Sequence, residues 1–259
     1  MRRAIPVLAA LAVLAVVAGC GGSGGPAEPA LEQTNRNLAK IKSGVLSLSV
    51  QMSPNGGDEV GYAIEGPVQL AAEGEAPLAD VRYTQRANGQ EETVRLVLTE
   101  KGGWVERDGK RTDLTQSQLD DLRASGSLLG QGGLEGLGFE RWIADPKLSD
   151  GPDETDKVTG DLDVVAAMNG LAGLSGLLGG GTPEVGESHR DEVDEAVKDS
   201  SFELLTGKDD RLLRKLAIMF EIDTDVPDEL REALGEERVG ARFEFDLALD
   251  EVNQPVQIG

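Results

Sequence analysis

The residue with the clearest chemistry in this sequence is Cys20, the single cysteine of a 259-residue chain. It ends the string VAGC (17–20), in which small residues precede a thiol. Two arginines and then an apolar stretch over 4–17 come before it, the order of a secretory signal peptide. The apolar stretch is shorter than the roughly 20 residues that a membrane-spanning helix needs. We therefore predict that residues 1–19 are a signal peptide and are cleaved off.

The VAGC string resembles the lipobox of bacterial lipoproteins, whose cysteine is acylated and becomes the first residue of the mature chain. This resemblance implies that Cys20 carries the fatty acyl chains of a membrane anchor, palmitate among them. It also implies an exported protein attached to the outer side of the cell membrane or cell envelope. The alternative is an ordinary exported protein in which the thiol has no role. With one cysteine, no disulfide can form within the molecule.

The chain is strongly acidic, with a formal net charge of −22. Nucleic-acid binding needs a cationic face that neutralises phosphates, so no nucleic-acid partner is expected. The same charge argues against attachment to an anionic lipid surface through side chains. Membrane attachment would therefore depend on the acyl chains at Cys20. The acidity itself is explained by a solvated surface that keeps the protein soluble.

The sequence offers no recognisable set of catalytic residues. Its single histidine, His189, lies beside a predicted helix cap, and no Ser/His/Asp or Cys/His arrangement can be assembled. Carboxylates are too numerous for a catalytic pair to stand out, and the glycine-rich runs lack the Lys-Ser/Thr of a phosphate-binding loop. Acidic loops at 150–154 and 223–229 offer oxygen ligands for calcium, but neither fits the twelve-residue calcium loop. We predict that the protein is not an enzyme and holds no cofactor or metal.

The apolar pattern divides the mature chain into a tether and one domain. Residues 20–29 are rich in glycine and proline, which is typical of a flexible linker, and residues 30–259 form a single domain. A helix is predicted over 30–42, after which apolar and polar residues alternate with the period of antiparallel strands. The predicted strands centre on 46–52, 64–70, 81–83, 94–98, 104–105, 155–159, 202–205, 216–222 and 243–249.

Further helices are predicted between these strands. Thr115 and Gln118 have the spacing of a capping box, and Asp163 is placed to cap an apolar helix. The predicted helical segments are 115–123, a turn over 139–143, 164–178, 188–198 and 227–234. Antiparallel strands with helices clustered in mid-chain predict an α+β fold, in which a curved antiparallel sheet packs against helices.

Three strings carry a family resemblance: VTGDLD (158–163), GKDDRLLR (207–214) and NQPVQI (253–258). Together with the element order, they resemble the LppX/LprG-type lipoproteins of actinobacteria, which share a fold with the periplasmic lipoprotein carrier LolA. The resemblance covers about residues 30–258. It implies a half-barrel sheet closed by helices around an apolar cavity. It also implies binding of acylated lipids or glycolipids, which are moved or presented in the cell envelope.

The apolar stripes supply the candidate residues for such a cavity. The pattern alone favours an ordinary packed core over a cavity. The family resemblance and an aromatic content of only 3%, which leaves less bulk to fill the space, favour a cavity. The predicted ligand-cavity residues are Leu48, Val50, Leu96, Leu98, Leu171, Leu174, Ile218, Phe220, Ile222, Phe243, Phe245 and Leu247. Gly170, Gly173 and Gly176 interrupt the apolar helix at a cost of about 1 kcal/mol each relative to alanine. This helix and the glycine-rich stretch 125–138 are therefore candidates for mobile lids at the cavity mouth. The alternatives are close packing of small residues or a loosely ordered loop.

The sequence therefore predicts a lipid-anchored envelope protein that binds an amphipathic lipid or glycolipid for transport or presentation. An envelope transporter is a candidate partner for such a carrier. The competing hypothesis is an envelope lipoprotein with a filled core, which acts as a structural or interaction partner and has no ligand. A void large enough for an acyl chain would separate the two.

Overall fold

Eleven antiparallel strands and four helices make up the described part of the chain. The computed structural model describes residues 27–70, 77–124, 137–177, 186, 189–225 and 238–259. The strands are β1 Ser43–Pro54, β2 Val60–Gln69, β3 Leu78–Ala87, β4 Gln90–Thr99, β5 Gly102–Arg107, β6 Lys110–Asp113, β7 Ile143–Asp150, β8 Thr155–Leu162, β9 Val197–Gly207, β10 Leu213–Asp225 and β11 Arg238–Asp250. The helices are α1 Ala27–Asn37, α2 Gln116–Ala124, α3 Val164–Leu177 and α4 Arg190–Ala196, with 3-10 turns at Leu38–Lys40 and Phe139–Arg141.

All the strands belong to one sheet in the order β6-β5-β4-β3-β2-β1-β11-β10-β9-β8-β7. Two meanders therefore meet at the centre, where β1 pairs with β11 in antiparallel register. The sheet does not close on itself, because β6 and β7 each have a neighbour on one side only. This arrangement confirms the predicted fold class, a curved antiparallel sheet with helices.

The tight turns of the first meander follow from their sequences. Asn88 and Gly89 join β3 to β4, and both have positive φ angles, 54° and 69°. Asp108 and Gly109 join β5 to β6 in the same way, with φ angles of 52° and 71°. Such Asn-Gly and Asp-Gly pairs suit the two-residue turns whose twist matches that of the flanking strands. The sequence indicated both turns but not the short strand β6 that follows the second.

The segment after Phe139 differs from the prediction. A helical turn was expected over 139–143, but the 3-10 turn ends at Arg141 and β7 begins at Ile143. Within β7 the pairing with β8 shifts between Ala144 and Lys147, and Asp145 between them has a φ of 48°. A proline at 146 and this bulge conceal the alternating pattern by which a strand is usually found.

The N-terminal helix is held against the β9–β10 turn by buried polar groups. A hydrogen bond of 2.8 Å joins the hydroxyls of Thr34 and Thr206, both fully buried. The Asn37 amide donates to the Asp210 carbonyl at 2.9 Å. Within the turn, the Asp210 carboxylate accepts from the Leu212 backbone and from Arg214. The string at 207–214 therefore has a structural use, since it fixes α1 to one end of the sheet.

Helix α3 begins as its sequence predicts. The Asp163 carboxylate accepts a hydrogen bond from the Ala166 backbone at 2.8 Å, which confirms the predicted cap. Arg190, the first residue of α4, forms an ion pair with Asp163 at 2.9 Å and so ties the two helices together. Val165 and Ala167 are fully buried. Helix α4 ends at Ala196, and β9 starts at the next residue, earlier than the predicted helix end at 198.

The apolar face of the sheet is tightly packed near one end of its central strands. Leu48 on β1 pairs with Leu247 on β11, which pairs with Leu216 on β10 and then Leu204 on β9. These four side chains are at most 2% exposed. Helix α1, Phe139, Trp142 and the first turn of α3 supply the opposing surface of this core.

Candidate ligand-binding cavity

The register of four neighbouring strands carries the apolar face beyond the packed core. Val50 on β1 stands opposite Tyr62 on β2 and Phe245 on β11. Two residues further along the strand, Met52 stands opposite Phe243, which in turn pairs with Phe220 on β10. Directly paired residues of antiparallel strands point to the same face, so these side chains form a continuous apolar wall.

Between this wall and helix α3 lies a cavity of about 370 Å³. Its lining residues are Val50, Met52, Tyr62, Met168, Leu171, Ala172, Phe220, Ile222, Ala241, Phe243 and Phe245. Eight of these residues come from strands β1, β2, β10 and β11 of the sheet wall, and the other three, Met168, Leu171 and Ala172, come from α3. A concave site of a few hundred cubic ångströms with a mostly apolar lining is the usual form of a small-molecule pocket.

The cavity is closed at one end and open at the other. Its inner end rests on the leucine row of Leu48 and Leu247, which is nearly inaccessible to solvent. Toward the ends of the strands, Phe243 and Ile222 are only partly buried, and Met52 is 44% exposed. The mouth therefore lies near Met52, next to the beginning of β2 and the end of β10.

Two aromatic pairs stiffen the sheet wall. The rings of Phe220 and Phe243 stack with their centroids 4.9 Å apart, and those of Tyr62 and Tyr83 stack at 6.3 Å. Burial raises the pKa of Tyr62 to about 12, with a smaller contribution from the neighbouring Tyr83. The hydroxyl of this cavity-lining tyrosine therefore keeps its proton to a higher pH than an exposed tyrosine does.

Helix α3 forms the opposite wall, and one of its glycines has a packing reason. A Cβ on Gly170 would lie 2.4 Å from a ring carbon of Trp142, closer than real Cβ contacts come. Trp142 is only 2% exposed, so its ring has little room to move. Close packing therefore accounts for this glycine. Gly173 and Gly176 lie beyond the part of α3 whose side-chain surroundings are described, and the lid remains a hypothesis.

The twelve predicted cavity residues occupy different places. Val50, Leu171, Phe220, Ile222, Phe243 and Phe245 line the cavity. Leu48, Leu98, Ile218 and Leu247 are members of the packed core, and Leu96 packs against that core while half-buried. The surroundings of the Leu174 side chain lie outside the described part.

The prediction also missed five lining residues, namely Met52, Tyr62, Met168, Ala172 and Ala241. Met52 continues the alternation of β1, and Met168 lies one helical turn before Ala172 and three residues before Leu171, so periodicity alone could have included both. Tyr62 lies two residues before Ile64, and Ala241 lies two residues before Phe243, so the same alternation could have included them as well.

Several predictions fall outside the described residues. These predictions concern the signal peptide, Cys20 and most of the tether. They also concern Ser188, the first residue of the helix predicted over 188–198, and the helix predicted over 227–234. The described chain begins at Ala27, which already belongs to α1, so the helix starts within the predicted tether. Among the described residues, no helix combines the length and apolarity needed to cross a membrane.

In the same ranges, no group of three or more histidine, cysteine, aspartate or glutamate side chains is arranged to hold a metal ion. His189 is exposed and precedes α4. The described cavity wall carries apolar groups, two thioethers and one phenol, and none of these is a nucleophile activated by a neighbouring base. Binding of an apolar molecule is the chemistry that this arrangement supports.

No family profile and no curated protein matches the sequence. Among solved structures, the chain is similar to the crystal structure of LprF from Mycobacterium bovis, with 14% identity and a TM-score of 0.47 over 92% of this chain and 98% of that chain. It is also similar to a LolA superfamily protein, NE2245 from Nitrosomonas europaea, with 12% identity and a TM-score of 0.23 over 88% and 96% of the two chains. At such identities few side chains are shared, so neither structure identifies a ligand for this chain.

Proposed function

We propose that this protein is a lipid-anchored lipoprotein of the cell envelope that binds the acyl part of an amphipathic lipid or glycolipid and transports or presents it. The observation that supports this proposal is the apolar cavity of about 370 Å³ between the sheet and α3. A void of this size beside a well-packed leucine row favours this proposal over the alternative, an interaction protein with a filled core and no ligand.

The lining suits a flexible hydrocarbon chain. Each methylene transferred from water into apolar surroundings contributes about 0.8 kcal/mol, so an acyl chain gains affinity with every carbon that enters. Met52 and Met168 face the cavity from opposite walls, and thioether side chains adapt to ligands of irregular shape. The described lining has no charged residue, so a polar headgroup would stay at the mouth while the tail fills the interior.

Attachment through Cys20 would hold the binding domain at the membrane surface. Two acyl chains hold a protein stably at a membrane, whereas one gives marginal binding. The short segment between Cys20 and α1 would keep the cavity within reach of the lipid surface from which a ligand is drawn. A partner in the envelope, such as a transporter, would then supply or receive the ligand.

The proposal is tested by native mass spectrometry of the protein without residues 1–20, purified from a related bacterial host, followed by solvent extraction. We expect an additional mass that extracts as a lipid. A bare protein mass that stays unchanged after incubation with envelope lipid extracts would instead favour the interaction protein with a filled core.

A matched pair of variants ties the bound mass to the cavity. Ala241→Phe places a ring in the cavity from β11, whereas Ala217→Phe places the same ring on the opposite face of β10, where its partners are Glu203 and Asp246. We expect the first variant to lose the lipid mass and the second to keep it. Retention of lipid by both folded variants would place the binding site elsewhere.

A further inference from the structure

Tyr62 is the polar exception on the cavity wall. It is the single described lining residue whose side chain carries an oxygen or nitrogen. Its ring stacks on Tyr83, and its hydroxyl forms no hydrogen bond with a described residue. A tyrosine hydroxyl in an apolar site gains a hydrogen bond when the ligand supplies an acceptor. In most apolar pockets, a small number of polar groups of this kind fix the orientation of the ligand.

The lining residues that the structure describes carry no positive charge to balance an ionised ligand group. An anion drawn in beside Tyr62 would lose water without gaining a counter-charge, which is costly in apolar surroundings. A neutral acceptor, such as an ester carbonyl or a hydroxyl, avoids this cost. The phenol suits it as a protonated donor, because burial raises the pKa of Tyr62 to about 12.

On the β1–β2 side of the mouth, the exposed Asp58 lies just before β2, whose first residue pairs with the lining residue Met52. The nearby cation, Arg86, pairs with Gly61, the neighbour of the lining residue Tyr62, and therefore lies on the face of the sheet opposite the cavity. There Arg86 forms ion pairs with Glu59 at 3.5 Å and with Glu91 at 2.8 Å. This arginine therefore does not offer a counter-charge to a headgroup at the mouth.

The other side of the mouth is bordered by α4. This helix packs against α3 and β10, and the strand that follows it pairs with the lining residue Ile222. Its exposed surface carries four carboxylates: Asp191, Glu192, Asp194 and Glu195. Its one arginine, Arg190, is paired with Asp163 at 2.9 Å. A cleft bordered by one sign of charge repels ligands of the same sign.

From these observations we infer that the cavity selects an acyl lipid with an uncharged headgroup, that the Tyr62 hydroxyl donates to an ester or hydroxyl oxygen of that lipid, and that anionic headgroups are rejected by the carboxylates at the mouth. The inference rests on the proposed function, because it requires an acyl chain in the cavity. It adds the chemical class of the ligand and names the residue that recognises it.

The test compares three lipids with the same lauroyl chain: monolauroylglycerol, lauroyl-lysophosphatidylglycerol and lauroyl-lysophosphatidylcholine. The first is neutral, the second is anionic, and the third matches the bulk of the second without its net charge. Each displaces an uncharged fluorescent probe, N-phenyl-1-naphthylamine, from the soluble domain below the micelle concentration of the lipid. We expect the anionic lipid to bind at least about tenfold more weakly than the neutral one, and the difference to shrink at high salt.

Variants separate the two parts of the mechanism. Tyr62→Phe should weaken monolauroylglycerol binding about three- to tenfold, the value of one hydrogen bond, beyond any change that it causes in the affinity for the probe. Tyr83→Phe is the matched control, since it removes a hydroxyl from the stacked ring that does not line the cavity. Replacing Glu192 and Glu195 by glutamine should raise the affinity for the anionic lipid and not for the neutral one.

The outcomes distinguish this inference from the proposed function. If the anionic lipid binds as tightly as the neutral one, or if Tyr62→Phe has no effect, the inference is wrong although the cavity still binds lipid. If neither the probe nor any of the three lipids binds, the proposed function itself is wrong. Equal weakening of both lysophospholipids would attribute the discrimination to headgroup bulk and would also overturn the inference.

Discussion

Substituting Gly170 with alanine tests two explanations for this glycine. Either it makes helix α3 less stable and so more mobile, or it leaves room for the indole ring of Trp142. In an unobstructed helix the change would stabilise the protein by about 1 kcal/mol, because glycine is the poorer helix former. In this structure the new Cβ would lie 2.4 to 2.7 Å from three ring atoms of Trp142, below the separation that real Cβ atoms show. The two effects have opposite signs, so the sign of the change decides between the two explanations.

The expected size follows from the surroundings of the indole. Trp142 is nearly inaccessible, so the clash can be relieved only by moving packed elements, and overpacking of this kind costs about 1 to 3 kcal/mol. After subtraction of the helix-propensity gain, we expect a net loss near 1 kcal/mol for Gly170→Ala. For a domain of this size that corresponds to a fall in Tm of about 2–4 °C.

Urea unfolding followed by far-UV circular dichroism measures this difference, and two further variants make it specific. Ala172→Gly gives the propensity cost of glycine in this helix at a residue that lies about 200° around the helix from Gly170 and lines the cavity. Trp142→Phe makes room at the contact, so adding Gly170→Ala to it should be neutral or stabilising. If Gly170→Ala alone stabilises the protein by about 1 kcal/mol, the close-packing argument is refuted and a labile helix becomes the better explanation.

Three other outcomes follow from individual side chains of the structure. Asp163→Ala removes both the α3 cap and the ion pair with Arg190, and should lower the unfolding free energy by about 1–2 kcal/mol in urea, whereas Asp163→Asn, which can still cap, should lose less. The side-chain hydrogen bond from Arg95 lowers the pKa of Asp80, so its stabilisation is complete above the unfolded pKa and is lost as the pH falls through the folded value; Asp80→Asn should therefore flatten the acid limb of a stability–pH curve, and an unchanged limb would contradict this. The folded state holds the Tyr62 proton more tightly than the unfolded state, so this contribution to stability is present below the unfolded pKa near 10 and is lost as the pH rises toward 12; in a Tyr83→Phe background, which leaves one tyrosine and keeps burial as the larger cause, the phenolate absorbance should appear well above pH 10.

Most of the strands could be predicted from the sequence, but the position and extent of the cavity could not. The alternation of β1 and β11 identifies the apolar face, yet Leu48 is packed and Val50 lines a void although both belong to the same stripe. The difference between the two residues depends on which element faces each of them across the interior. Near Leu48 the opposing surface is filled by α1 and by the indole of Trp142, whereas α3 stands across the void from Val50. Periodicity identifies the face on which a residue lies but not the distance to the next layer.

Features that depend on adjacent residues could be predicted, whereas features that depend on distant residues or on a broken pattern could not. The Asp163 cap and the turn pairs were predictable because each depends on a few adjacent residues. Strand β7 was missed because its bulge, at Asp145 and the following proline, breaks the alternation that reveals a strand. Contact between Gly170 and Trp142 joins residues that the sequence gives no reason to associate.

The pairing of β1 with β11 has a consequence for how the molecule is assembled. Val45 stands opposite Asp250, so the centre of the sheet is built from two segments that lie far apart along the chain. A polypeptide that emerges from a ribosome or translocation channel from its N-terminus can form the β1–β6 meander early, but β1 keeps one edge unpaired until the last strand is released. Such long-range pairing is slow and leaves an open strand edge during the wait. We therefore expect refolding to show a late phase in which the two halves join, and a chain that stops before β11 to be kept in solution only by a chaperone that covers β1 and β10.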